Sequence, residues 1–398
     1  MSERIAIIGA GAAGCFCAIE IKRRNPSAQV TVYEAGRKPL AKVAVTGGGR
    51  CNFTNSFRDI ARLEEAYPRG ARLMKRALMN FSNEDCIKWF AAEGVASVIQ
   101  DDQCVFPRSQ DAMQIVRTLE RLMAGLGVKV RTDARVSALR EGWTLEFADG
   151  SNAGADKVVV TSGGGAVKML EGLDGIEIIK PVPSLFTLKI NDSGLRALMG
   201  TVVENTVLSL AGTGFRSKGT LLLTDWGVSG PATLKLSSYA ARELAEKEYR
   251  GMLLINWLGR TEDESRSMLA SIAASSPRKQ AGNTQPTGIT SRLWQYLLSR
   301  AQVPTDRCWA EIGNKAVNKL VATLTADSYE ISGRCHFKEE FVTAGGVALS
   351  SINLNTLESK AYPGLFFAGE VLDIDAITGG FNLQAAWSTG YTVAKNLL

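Results

Sequence analysis

Ile5-Ala6-Ile7-Ile8-Gly9-Ala10-Gly11-Ala12-Ala13-Gly14 opens the chain's first structural unit. Four apolar residues of the buried, parallel-strand type run directly into a Gly-x-Gly-x-x-Gly turn. Ala13, Phe16, Cys17 and Glu20-Ile21 then recur at helical spacing until Asn25-Pro26 stops the helix. Val30-Thr31-Val32-Tyr33 reads as a second strand, with Glu34 at its C-terminal end. Together these make one βαβ unit. Gly9 permits the tight turn, Gly11 lets a pyrophosphate approach the backbone, and Gly14 allows close helix–strand packing. The helix N-terminus adds partial positive charge. Glu34 is placed to bind a ribose diol, which fits an adenosine dinucleotide without a 2′-phosphate and leaves NAD and FAD open.

The far end of the chain separates the two. Pro363-Gly364-Leu365-Phe366-Phe367-Ala368-Gly369-Glu370 is an apolar strand ending in Gly-acid, which places a carboxylate by a flavin's ribityl hydroxyls. Ile377-Thr378-Gly379-Gly380-Phe381-Asn382-Leu383-Gln384 opens a final helix expected over 382–397. Its N-terminal N–H groups would face the isoalloxazine edge where negative charge gathers on reduction. Val158-Val159-Val160-Thr161-Ser162-Gly163-Gly164 is a third strand-to-glycine turn of the kind packed beside a flavin. Three distant pieces converge on FAD. The positions assigned to it are Gly9, Gly11, Ala13, Gly14, Glu34, Ala35, Gly49, Arg50, Val136, Thr161, Gly163, Gly164, Gly369, Glu370, Asp373, Gly379, Gly380, Asn382 and Leu383.

Composition agrees with a large globular chain. The 398 residues include 39 glycines, more than the usual ~7%, and 11 prolines, with 45% hydrophobic residues. One histidine, His336, rules out multi-histidine metal sites, and no metal site is expected. The seven scattered cysteines contain no CxxC pair, against both a disulfide framework and a zinc ribbon. The opening MSERIAIIGAG does not read as a signal peptide, and no apolar run reaches ~18 residues. The expectation is a cytoplasmic protein with no membrane segment. A formal charge of +6 permits an anionic partner without demanding one.

Helices are expected over 82–94, 111–126, 262–275 and 290–301, and strands near 127–132, 143–148 and 156–161. Ser82 and Asp85 are spaced as a capping box. Residues 185–258 read as mostly strand, 275–282 as a loop or mobile linker, and the α/β pattern returns after 343.

Two strings carry a resemblance. Val45-Thr46-Gly47-Gly48-Gly49-Arg50-Cys51-Asn52-Phe53-Thr54-Asn55, and Gly369-Glu370-Val371-Leu372-Asp373 through Gly379–Gln384, closely resemble the HI0933-like flavoproteins. Leu222–Pro231 and Val342–Val347 match as well, so the likeness covers essentially the whole chain. It implies an α/β fold: a split Rossmann-like FAD-binding domain (1–185 and 343–398), a β-rich insert (186–258 and 309–342), and a small helical subdomain (259–308). It further implies reductive flavin chemistry on activated C=C bonds, including uracil rings in ribosomal RNA and steroid-like enones. One departure is visible. Asp225 stands where the family commonly carries histidine.

No second Gly-x-Gly-x-x-Gly follows Gly14, so NADH or NADPH would act as a transient reductant at the flavin face. Reducing an activated C=C needs a hydride and a positioned acid. Cys51 and Arg50 are the catalytic candidates: Arg50 could lower the thiol's pKa or bind an anionic substrate oxygen. The alternative is that Cys51 packs beneath the flavin and Arg50 meets its pyrophosphate. His336, Trp226 and Trp387 read as packing residues rather than catalytic ones. Residues 50–76 carry seven Arg/Lys against three acids. The 277–307 stretch adds Arg278, Lys279, Arg292, Arg300 and Arg307 against Asp306. Charge alone fits an ordinary solvated surface. It is the resemblance that implies a structured RNA docking there through its phosphates, if the two stretches share a face with the cleft. A flavin oxidase using oxygen, and a non-catalytic flavin-binding interaction module, are the rival classes.

Overall fold

A computed structural model describes residues 2–164, 167–335 and 342–397. His336, read from sequence as a strand residue, lies outside the described residues. The chain divides into two compact units, Met1–Val182 with Phe341–Leu398, and Pro183–Glu340.

The first unit is built on a five-stranded sheet ordered Leu365–Phe367, Lys157–Val160, Arg4–Ile8 (β1), Gln29–Tyr33 (β2) and Lys129–Arg131. Every pairing is parallel. The three central runs are nearly all apolar because both faces are covered; Ile5, Ile7, Val30, Val32 and Val158–Val160 have almost no exposed surface. Helix α1 (Ala12–Arg24) crosses from β1 to β2, and Lys22, Arg23 and Arg24 crowd its last turn, where the helix dipole favours cations. The expected stop at Asn25 is the observed C-cap.

The C-terminal helix, Phe381–Asn396, packs against α1. Gly390 permits the close crossing: a Cβ there would lie 2.9 Å from the Ala13 carbonyl oxygen. The capping box at Ser82 forms as expected and starts the helix Asn83–Ala92. Helix Ala112–Gly125 is capped by Asp111, whose side chain accepts from the Met113 N–H.

The second unit centres on a closed six-stranded barrel. Helices Glu262–Ser275, Ser291–Arg300 and Asn314–Ala326 follow one barrel strand, Gly251–Asn256, and precede another, Asp327–Arg334. The cluster of Trp257, Trp294, Leu297 and Leu320 joins these helices to the barrel core. The mostly-strand reading of 185–258 missed helices Pro231–Tyr239 and Ala241–Glu246. Gly230-Pro231 was the available signal, a proline at the first helical position. Trp226 is half-buried in this unit, and Asp225 is exposed. Among the described residues no helix is long and apolar enough to cross a membrane.

The architecture is therefore α/β, a Rossmann-like parallel sheet with a β-rich region inserted in the chain.

Candidate functional site

Ile8 pairs with both Tyr33 and Val160, and Val160 pairs with Phe367. The residues that follow, Gly9, Glu34, Thr161 and Ala368, are therefore set side by side along the carboxyl edge of the sheet. The chain leaves β1 toward β2 on one side and places Lys157–Val160 on the other, so this edge is a topological switch point, where open α/β sheets bind ligands.

The three glycines of the first turn differ in what surrounds them. Gly9 has φ +105°, and a Cβ there would meet the Thr161 carbonyl oxygen at 2.6 Å. A Cβ on Gly14 would meet the Gly9 carbonyl oxygen at 2.0 Å. Gly11 faces open space, with no atom within 4 Å of its Cβ position. A phosphate needs that opening. Thr161 locks the turn, its hydroxyl donating to the carbonyls of Gly9 at 2.8 Å and Ile8 at 3.0 Å. The Glu34 carboxylate accepts from the Ala10 N–H at 2.8 Å and the Gly36 N–H at 2.7 Å, joining the turn to the end of β2. Ala35 is exposed beside it, and Val136 is buried at the start of an adjoining hairpin.

The C-terminal motifs meet the same edge. Gly369 has φ +74°, and a Cβ on it would lie 2.9 Å from the Ala13 Cβ. Glu370 accepts from the Thr343 N–H at 2.7 Å and lies 3.7 Å from Lys42 Nζ. A Cβ on Gly164 would meet the Thr343 side chain at 2.3 Å; Gly163 has φ +77° and open space. Asp373 donates its N–H to the Val347 carbonyl. Asn382 clamps the approach to the last helix by exchanging two hydrogen bonds with the Ala376 backbone. Leu383 is half-buried next to it.

The string at 46–55 forms the third wall. Gly47, Gly48 and Gly49 all take left-handed φ values (62°, 67° and 81°), a run that residues with a Cβ avoid. Beyond it, Thr54 Oγ1 donates to Gln384 Oε1 at 2.6 Å, Asn55 Nδ2 to the Gly379 carbonyl, and Trp387 Nε1 to the Phe53 carbonyl. Trp387 is fully buried, which matches its reading as a packing residue. A Cβ on Gly380 would meet the Thr54 carbonyl at 2.3 Å.

Cys51 has a setting different from the one expected. It is completely buried at φ +60°, and burial pushes its thiol up to about 12. Arg50 does not activate it. The Arg50 guanidinium stacks over the Phe106 ring at 4.4 Å, and its Nε donates to the Gly47 carbonyl. In the folded protein, thiol reagents at mildly alkaline pH should label the half-buried Cys308 and Cys335 and spare Cys51. Labelling of Cys51 before unfolding, read by peptide mass spectrometry, would contradict this setting.

Sequence reasoning missed Lys42, Thr343 and Gln384 as neighbours of these motifs. Thr343 and Gln384 were signalled as polar residues inside otherwise buried strings, whereas the exposed Lys42 carried no such signal. The residues present fit FAD on two observations beyond the motifs. Gly11 leaves room at a helix N-terminus, and two buried oxygens in the turns, Ser162 Oγ and Asn52 Oδ1, make no hydrogen bond among the described residues.

Comparisons with known proteins agree. A family profile described as the HI0933-like protein Rossmann domain matches residues 3–396. A 3-dehydro-bile acid delta(4,6)-reductase of Clostridium scindens is 30% identical over 99% of this chain and 98% of its own length. A ribosomal RNA dihydrouridine synthase of Haemophilus influenzae is 31% identical over 100% of this chain and 98% of its own. Among solved structures, the 3-ketosteroid delta1-dehydrogenase of Sterolibacterium denitrificans matches with a TM-score of 0.52 at 11% identity, covering 100% of this chain and 99% of that one. That last likeness is one of fold alone. A match along almost the whole chain, on a site of this geometry, places the protein in the HI0933-like family of FAD-dependent oxidoreductases.

Proposed function

We propose that the protein is a reductase that uses NADH or NADPH as electron source and saturates a C=C bond conjugated to a carbonyl, with a uracil ring of ribosomal RNA as substrate. The observation that supports it is the gathering of three glycine turns, from residues 9–14, 161–164 and 369–380, along one sheet edge at a switch point. When bound, FAD supplies the hydride carrier for such a reduction. Gly11, Ala13 and Gly14 would hold the pyrophosphate at the N-terminus of α1, and Glu34 with Ala35 the adenosine ribose. Glu370, Gly379 and Gly380 would hold the flavin half, with Asn382 and Leu383 opening the helix behind it. Gly49, Val136, Thr161, Gly163, Gly164, Gly369 and Asp373 shape the walls. Cys51 packs its turn, and the exposed Arg50 keeps a cation available to an anionic oxygen of cofactor or substrate.

Curated relatives named as a ribosomal RNA dihydrouridine synthase and as a 3-dehydro-bile acid delta(4,6)-reductase both suit saturation of an activated double bond. The RNA branch is favoured by Arg58, Arg62, Arg72 and Lys75, which are all exposed on the segment that follows the 46–55 string. Two measurements test the reading. Loss of dihydrouridine from the ribosomal RNA of a deletion strain, by nucleoside mass spectrometry, is the expected result; unchanged dihydrouridine overturns the RNA branch. Anaerobic NADH or NADPH should bleach the flavin, and a uridine-containing RNA fragment should restore its colour. Failure to bleach overturns the reductant assignment, and fast reoxidation by air with peroxide release would favour an oxidase.

A further inference from the structure

Three polar groups of the segment Asn52–Asn55 bond to the C-terminal helix and its approach. The Phe53 carbonyl accepts from Trp387, Thr54 donates to Gln384, and Asn55 donates to the Gly379 carbonyl. Asn52 Oδ1 does not. It is buried and makes no hydrogen bond among the described residues. It also has a defined neighbour: a Cβ on Gly380 would lie 2.6 Å from it, so the oxygen sits against the residue that begins the C-terminal helix. An unmet buried carbonyl oxygen is costly, and each one calls for a reason.

The chemistry of the helix start supplies one. The pyrimidine edge of an isoalloxazine presents an acceptor, a donor and an acceptor: O2, the imide N3–H, and O4. A helix N-terminus offers N–H donors only, so it can serve the carbonyl oxygens but not the imide. The imide needs an acceptor from another element. We propose that Asn52 Oδ1 accepts the hydrogen bond of the flavin N3–H, which makes Asn52 a cofactor-selecting residue in the site. This rests on the FAD reading above. The glycine string before Asn52 is then what delivers the carboxamide, because the left-handed run at 47–49 turns the chain back toward residue 380.

The test titrates apo-protein with FAD and with FAD methylated at N3. Wild type is expected to bind FAD at least about tenfold more tightly than the methylated cofactor, because methylation removes the donor. Asn52→Ala should weaken FAD by about tenfold and bind the two cofactors alike. Asn52→Asp, which retains an acceptor, should keep most of the discrimination. It should also lower the flavin midpoint potential, since its charge opposes the one that gathers on reduction. Equal affinity of wild type for both cofactors overturns the proposal, and needs no variant that folds. Undiminished discrimination by Asn52→Ala overturns it too. A wild-type apo-protein that takes up no FAD at all overturns the underlying reading instead.

Discussion

Gly11→Ala is expected to fold like the wild type and bind FAD about tenfold to a hundredfold more weakly, whereas Gly14→Ala should lose fold stability as well. The contrast comes from two glycines of one turn that face opposite ways. Gly11 sits at φ −83°, ordinary for any residue, and a Cβ there touches nothing within 4 Å. The methyl group would occupy only the space a pyrophosphate needs. Charge-assisted hydrogen bonds to phosphate contribute ~1.5–3 kcal/mol each, so losing one weakens binding about tenfold to a hundredfold. Gly14 faces inward. Its Cβ would stand 2.0 Å from the Gly9 carbonyl oxygen and 2.5 Å from Thr161 Oγ1, so the turn must open. Overpacking of this kind costs roughly 1–3 kcal/mol. Thermal unfolding of the two apo-proteins and fluorescence titration with FAD check both halves. Tight FAD binding by Gly11→Ala would sink the proposed place of the pyrophosphate.

The second large effect concerns Arg69 and Asp375. The Arg69 guanidinium pairs with the Asp375 carboxylate through Nε and Nη2, with side-chain exposures of 11% and 0%. Gly70 brings the two segments together: a Cβ there would meet Ile374 at 2.7 Å. Ile377 N–H donates to the Ala66 carbonyl two residues beyond Asp375, and Asn382 grips Ala376 between them. This ion pair therefore anchors the segment that leads to Gly379 and Gly380. Arg69→Leu removes the cation facing a buried carboxylate and should cost ~3–5 kcal/mol in urea unfolding. The double variant Arg69→Met, Asp375→Leu should recover most of that loss, since apolar replacements of buried pairs are often neutral. A loss under ~1 kcal/mol for Arg69→Leu would show that the pair is dispensable.

Local features were legible in the chain. β1, its glycine turn and α1 follow from apolar runs, glycine spacing and an Asn-Pro stop, each set within a few residues. The capping box at Ser82 was readable for the same reason. The helices at Pro231–Tyr239 and Asn314–Ala326 were not read, because their apolar content is shared between a barrel core and neighbouring helices rather than set in one clean stripe.

The parallel α/β core, the cofactor class and the positions of the glycine turns were written in the chain alone. Those depend on backbone freedom and side-chain period, which are local properties. The setting of the 46–55 string became visible only in the folded chain. Cys51 and Arg50 are adjacent in sequence, which suggested an activated thiol. Yet burial lifts the thiol while Phe106, more than fifty residues away, takes the guanidinium. The unmet oxygen of Asn52 and the pairing of Arg69 with Asp375 are likewise invisible in sequence. A pKa, a hydrogen-bond partner and a buried charge depend on which distant groups exclude water, and only the folded chain brings those groups together.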